Sequence, residues 1–342
     1  MLPCQENIRS FFEKLQNAEG LDLRDNRGKR HDLAVVLVSV TLAVLSNRDG
    51  SLSSLHRHLK NHYEKLATVL GIENKCAVSR SQLPLILEKV ASKVFDQMLF
   101  ESFGVKLSGA ERLWFALDGK ELRGSIEKGS KRGTALVQAV AHADCQTVAQ
   151  DYYAGDKESE VPVVRQLLGQ SGLVSQKISF DALYCKPLML SMISEGGGKY
   201  LVGLKDNQKE LKKQITRAMA NQAFLFKSAR QEKSHGRIEC RKCEFYDVSE
   251  LAKDERWQTC RIKTAIKVSR ETIEVKSGKT ASEESYYLTN EVGNYEELAQ
   301  AIRKHWVVET NNHIRDVSLR EDEMRSKKRI YKEQWQASEP WQ

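Results

Sequence analysis

The chain has 342 residues, 40% hydrophobic and 29% charged, a globular balance long enough for two or three structural units around a substantial core. Lys and Arg outnumber Asp and Glu by 54 to 46, and the net charge of +8 favours polyanionic partners without requiring one. Seven scattered cysteines argue against a secreted disulfide framework, and no apolar run approaches the ~20 residues a bilayer needs, so the expectation is a cytoplasmic protein with no membrane partner.

Residues 1–105 read as a helical N-terminal domain. Ile8, Phe11, Phe12 and Leu15 recur at helical spacing. Leu33 to Leu45 predicts a buried helix, and 51–70 and 81–100 two more, the last capped by Ser79 or Ser81. Between the first two helices, Asp22 to His31 is a polar loop carrying Arg24, Arg27, Lys29 and Arg30. Helices bearing Arg and His on short polar turns suit a DNA-contacting module. A packing domain with a solvated charged face carries equal weight.

From Arg112 the pattern changes. Strands are expected at 113–117, 135–141 and 147–153, then helix 161–168, strand 177–180, helix 187–193, strand 200–204 and helix 208–219. Four strands at 238–248, 259–268, 272–275 and 285–289, with a turn at Gly278-Lys279, predict a β-rich insertion spanning about 222–292. A single long helix is expected from Tyr295 to about Arg325. Three meander strands followed by alternating helices and strands indicate an α/β fold, a ribonuclease-H-like mixed sheet filling 106–342.

Two apolar strands end on an acid: Asp118 closes Leu113 to Leu117, and Asp181 follows Ile178 and Phe180. Strand tips are where open α/β sheets build their sites. Glu309 lies on the long helix, where His305, Glu309, Asn312, His313, Asp316, Arg320 and Glu323 share one face at 100° per residue. Three carboxylates make a hard-oxygen site for divalent cations, and two-metal hydrolysis needs such acids to bridge and hold its ions. Asp118, Asp181 and Glu309 are therefore the expected catalytic and metal-holding residues, with Asp316 in reserve. Lys120 and Arg123 stand in a basic cluster with Lys128, Lys131 and Arg132, suited to phosphate beside the metals, although a solvated loop fits as well. Lys205, Asn207 and Gln208, at the end of the next strand, are further candidates for DNA contact.

The stretch Leu117-Asp118-Gly119-Lys120-Glu121-Leu122-Arg123-Gly124-Ser125 closely resembles the first catalytic motif of DDE-type insertion-sequence transposases of the H-repeat-associated (ISAs-type) branch. Phe180 to Cys185 resembles the second, and His305 to Glu309 continuing through Arg320-Glu321-Asp322 resembles the third. Tyr200 to Gln208 and His235-Gly236-Arg237-Ile238-Glu239 are similar to two further blocks, and Gly28 to Leu33 is similar to the branch's helical domain. The resemblance implies cleavage and transfer of double-stranded DNA at terminal inverted repeats. It also implies dependence on Mg2+, with Mn2+ able to substitute, and a homodimer in the DNA complex. His235, Arg237, His305 and Arg320, within those blocks, become candidates for DNA contact.

Where the wider group has an Arg one turn before the glutamate and a Lys two turns after it, this chain has His305 and Asp316. The tail from Arg329 to Gln342 does not resemble the branch's continuation. That leaves a second reading, a catalytically inactive relic that still binds element ends; a repair or restriction nuclease of the same fold is a third. Cys240-Arg241-Lys242-Cys243 is a lone C-x2-C with no second pair, weak support for zinc.

Overall fold

The computed structural model describes residues 3–46, 51–73, 76–103, 112–126, 129, 131–153, 157–234, 236–250 and 254–318. Its N-terminal part is helical: α1 (Pro3–Asn17), α2 (Leu33–Ser46), α3 (Leu52–Leu70), α4 (Gln82–Leu87) and α5 (Ser92–Phe103). Phe11, Phe12 and Leu15 of α1 pack with Leu33 to Val38 of α2 and with Leu59 and Tyr63 of α3 in an apolar cluster of their own. Ser51 caps α3, its hydroxyl accepting from the Ser54 amide, and Gly71 ends the helix in the left-handed region that glycine adopts without a Cβ clash. Of the two serines expected to cap the next helix, Ser79 accepts the Gln82 amide, while Ser81 makes no cap bond.

The helix expected over 81–100 is broken into α4 and α5. The cause is a backbone pairing invisible to periodicity: Leu23 donates to the Lys89 carbonyl, Ala91 donates to the Leu21 carbonyl, and Asp22 bridges Val90. Those bonds occupy groups that a continuous helix would need. Within the adjacent loop, Arg24 is not a free DNA-facing cation. Its guanidinium is held by Asp22 at 2.9 Å and by the His31 carbonyl.

Residues 114–289 build one nine-stranded mixed sheet in the order β3-β2-β1-β4-β5-β9-β8-β7-β6. Strands β1 (Trp114–Glu121), β2 (Ala135–Ala141) and β3 (Thr147–Tyr153) form an antiparallel meander, and β4 (Lys177–Phe180) and β5 (Lys199–Leu204) run parallel to β1. Helices α6 (Lys157–Gln170) and α7 (Pro187–Glu195) pack on the face carrying Phe115, Leu117, Val137 and Ile178. Helix α8 (Lys209–Ala220) sets Leu211, Ile215 and Met219 into the same core. This mixed α/β sheet is consistent with the ribonuclease-H-like expectation.

The β-rich stretch does not stand apart from the sheet. Strand β9 (Thr280–Thr289) pairs antiparallel with β5, and β8 (Thr264–Glu274), β7 (Arg237–Asp247) and β6 (Phe226–Ser234) follow it outward. Strand β6 has no counterpart in the expected set, because Lys227 to Ser234 is almost wholly polar and its order comes from pairing with β7. The expected strands 259–268 and 272–275 are instead one, β8. Ser269, Arg270 and Glu271 read as a polar break, yet they are paired on both sides. Directly opposed charges, Lys227 with Glu244 and Arg270 with Glu283, reinforce the ladder. Cys240 and Cys243 sit three residues apart on β7 and so point to opposite faces, which cannot chelate one ion together.

The long helix expected from Tyr295 is two helices, α9 (Tyr295–Lys304) and α10 (Val307–His313), followed by one π-helical turn at Ile314–Ser318. The break falls at His305 and Trp306. There Val308 and Trp306 bond back three residues rather than four, and the His305 ring is anchored to the sheet at Ser179.

Candidate active site

Leu117 and Phe180 are partners in the parallel pairing of β1 with β4, so Asp118 and Asp181 occupy the next matching positions on neighbouring strands. Both stand at the carboxyl end of the parallel strands and on the face that receives α10. The Asp181 carboxylate accepts the Leu183 amide at 2.7 Å, starting a 3-10 turn at Ala182–Tyr184 that leads the chain away from the tip. Alongside, Gly203 of β5 lies close to that turn: a Cβ there would stand 3.1 Å from the Ala182 nitrogen.

Helix α10 brings the third acid. Val308 packs on Ala116 and Val140. Asn311 donates to the Cys145 carbonyl at 3.0 Å, and Asn312 accepts from the Gln138 amide. Arg315 donates to the other end of Gln138, and Lys120 closes on Asp316. Gln138 is fully buried and is the cross-strand partner of Asp118. Asn312, Arg315 and Asp316 therefore meet the strand pair that bears Asp118, whereas Glu309 and His313 are exposed.

Electrostatics join the acids. The Asp118 carboxyl is pushed up to about 7, first by burial and then by the negative charges of Asp181, Glu160 and Glu309, against a hydrogen bond from the Gly119 amide. Such a concentration of hard-oxygen charge is what a divalent cation relieves, and the donor set fits one. Among the described residues no three Asp, Glu, His or Cys side chains converge to metal-ligating geometry, so the acids form a shared field rather than a closed cage.

Several expected DNA contacts take other roles. Lys120 is buried, with its ammonium on Asp316 rather than free for phosphate. Gln208 is also buried; its amide donates to the Cys185 carbonyl and accepts from Arg256, so it braces the loop. Asn207 donates to the Ala182 carbonyl, pinning the turn after Asp181. His305 bonds through Nδ1 to Ser179 at 2.9 Å, and Ser179 meets His142 Nε2 at 2.9 Å on its other side. Burial holds His305 down to about 4, against the pull of Asp181, and His142 down to about 3. Both rings are neutral at physiological pH, so His305 braces the interior and is not a phosphate-binding cation.

Arg123 and Lys205 are exposed near the acid-bearing strand ends. Arg237 is far along the sheet at the tip of an arm. Tyr286 of β9 pairs with Leu204, the last residue of β5, so Thr280 to Ser285 run on past the strand ends for roughly 20 Å. The β6–β7 and β8–β9 turns lie at that overhanging end, and Arg237 is exposed there. His235 and Arg320 lie outside the described residues.

The acid unanticipated in the sequence is Glu160, buried on α6. Its oxygens accept the hydroxyls of Tyr153, at 2.8 Å, and Tyr184. The only sequence signal was Gly119 itself, which reads as a turn yet sits inside β1.

A sheet that sets two acids side by side on parallel strands and a third on a docked helix defines a class, and comparison with known families agrees with it. Residues 109–335 match the family model described as Transposase DDE domain, and the chain belongs to that family. Within it the chain falls in the H-repeat-associated branch. It is 26% identical over 310 residues to "H repeat-associated putative transposase YhhI" of Escherichia coli (strain K12), covering 88% of this chain and 81% of the relative. "Putative transposase YncI" of Escherichia coli O157:H7 is 25% identical over 315 residues, covering 89% and 79%. "Putative protein YbfL" of Escherichia coli (strain K12) is 26% identical over 310 residues, covering 88% and 81%. The family match extends to residue 335. Among the described residues no helix is long and apolar enough to cross a membrane.

Proposed function

We propose that this transposase is an active enzyme that cleaves DNA strands at the inverted-repeat ends of an insertion-sequence element and transfers them to new DNA. In this reading Asp118, Asp181 and Glu309 hold Mg2+, for which Mn2+ can substitute. The observation that carries it is that Asp118 and Asp181 each follow a register-matched pair, Leu117 and Phe180, of adjacent parallel strands, with the charge of Glu309 acting on the same buried Asp118. Bound divalent cations supply activation of the attacking oxygen and stabilisation of the leaving oxygen. The protein's share is placement. The Leu183 amide orients Asp181, the Gln138–Asn312 and Lys120–Asp316 contacts dock the helix bearing Glu309, and Ser179 holds the neutral rings of His142 and His305 behind the acids. The helices of residues 1–105 and the overhanging β arm are the surfaces this reading gives to the DNA ends, with Arg123 and Lys205 beside the acids.

The test uses the full chain with a duplex carrying a terminal repeat, in Mg2+ and in EDTA. Asp118→Asn, Asp181→Asn and Glu309→Gln should each reduce Mg2+-dependent cleavage at least about a thousandfold while duplex binding persists. Because the three act as one unit, the double variants should be little worse than the singles. A parent chain that binds ends but never cuts them would establish the inactive relic instead.

A further inference from the structure

We propose that Glu160, clasped by the Tyr153 and Tyr184 hydroxyls behind Gly119, is a positioning residue of the metal site, fixing the part of β1 that carries Asp118 and strengthening divalent-cation binding there. The inference rests on the reading of Asp118, Asp181 and Glu309 as that site.

Three observations support it. Glu160 is 7% exposed, and among the described residues no Lys, Arg or His forms an ion pair with it. A buried carboxylate without a cation needs strong donors, and here both oxygens have one: Tyr153 on Oε2 and Tyr184 on Oε1. Those tyrosines come from the edge of the meander and from the turn after β4. Tyr153 ends β3, and Tyr184 closes the turn that Asp181 begins. One carboxylate thus ties α6, β3 and the Asp181 turn together.

The third observation is contact with the strand itself. A Cβ on Gly119 would lie 2.8 Å from the Glu160 carboxyl carbon and 2.8 Å from the Tyr153 hydroxyl. Gly119 is the residue after Asp118, in mid-strand, and its φ is an ordinary negative one. Its missing side chain is explained by the approach of the carboxylate, not by a turn. Negative charge held by the fold close behind an acidic site favours any cation that enters, and groups supporting a ligand commonly change metal affinity 10- to 100-fold when removed.

The experiment is calorimetric titration of the full chain with Mn2+ alone, alongside thermal unfolding. Glu160→Gln keeps the shape and removes the charge, so its Mn2+ dissociation constant should rise about 10- to 100-fold. Tyr153→Phe keeps the ring and removes one donor, and should weaken Mn2+ several-fold with little change in melting temperature; it decides the matter if Glu160→Gln does not fold. Glu160→Asp should recover part of the loss, which a purely structural role would not produce. If Asp118→Asn abolishes binding while Glu160→Gln and Tyr153→Phe bind Mn2+ like the parent, the role given to Glu160 is wrong and the metal site stands. If the parent binds no Mn2+, or Asp118→Asn binds it unchanged, the metal-site reading falls and takes this inference with it.

Discussion

Lys120 and Asp316, 196 positions apart in the chain, close a 2.5 Å ion pair across the acid-bearing end of the sheet. The lysine side chain is almost wholly buried, whereas Asp316 is about a third exposed. The pair fastens the π-helical turn after α10 to β1, two residues beyond Asp118. It also engages the carboxylate that the helical face alone would have offered as an alternative to Glu309. Asp316→Asn should therefore keep Mg2+-dependent cleavage within about tenfold of the parent. It should lower stability by about 1–2 kcal/mol, because an amide cannot neutralise the buried ammonium. Cleavage assays and denaturant melts report the two effects separately, and a loss as complete as in Glu309→Gln would transfer the ligand role to Asp316.

A pH dependence follows from the junction between the N-terminal helices and the sheet. Asp96 on α5 accepts from Gln150 on β3, while Lys93 pairs with Asp151 beside it. Burial raises the Asp96 carboxyl to about 6; the Gln150 bond opposes this, Asp151 adds to it, and Arg315 opposes it again. A carboxyl whose pKa is higher folded than unfolded holds its proton more tightly in the folded state. Its contribution to stability is present below about pH 4 and is lost as pH rises through 6. Asp96→Asn should flatten that part of the stability curve and raise stability near pH 7 by about 1–2 kcal/mol, after allowance for solvent screening. Urea melts between pH 4 and 8 would show it; an unchanged slope would mean Asp96 is not responsible.

How much of this was legible in the sequence depends on whether a residue's role is local. The adjacency of Asp118 and Asp181 was, because each follows an apolar run, although β1 continues through Asp118 to Glu121 instead of ending there; strands β2, β3 and β4 have the bounds their apolar residues suggest. Glu309 was legible through helical spacing, although the helix breaks at His305. Glu160 was not. It follows Lys157-Glu158-Ser159, which reads as the solvated start of a helix, and its partners Tyr153 and Tyr184 flank it from separate elements. Lys120, His305 and Gln208 failed as DNA contacts for the same reason: a polar residue beside a site looks alike whether it faces solvent or braces the interior. Strand β6 was hidden because its order resides in its neighbour.

Ser179 offers a test of the bracing behind the acids. It is 1% exposed, and its hydroxyl meets both His142 Nε2 and His305 Nδ1. Ser179→Ala removes the bridge and leaves ring nitrogens buried without their partner, at a cost of about 1–3 kcal/mol. The same change frees the junction between α9 and α10, which presents Glu309. Cleavage should fall with kcat more than with KM, since placement of Glu309 and not DNA binding is disturbed. A variant with parental stability and kcat would show that the two rings need no bridge.

The last prediction concerns which surfaces hold DNA. The β arm overhangs the end of the sheet where Asp118 and Asp181 sit, and Arg237 is exposed at its tip. On the N-terminal side, Arg27, Lys29 and Arg30 are exposed in the loop that Asp22 and Arg24 brace. A cation that neutralises one phosphate of duplex DNA adds about 0.9 to the slope of log affinity against log salt. Arg237→Ala should flatten the slope by about that amount and weaken binding to all duplexes alike, since a phosphate contact carries no sequence information. Replacing Arg27, Lys29 and Arg30 together by alanine should flatten it by up to about three times as much. If these helices also recognise the repeat, the triple variant should narrow the preference for terminal-repeat over unrelated duplex, whereas Arg237→Ala should leave that ratio unchanged. Fluorescence anisotropy across a salt series on both duplexes measures slope and ratio at once. A parental slope in the triple variant would move the DNA-binding surface from the helical part to the catalytic sheet and its arm.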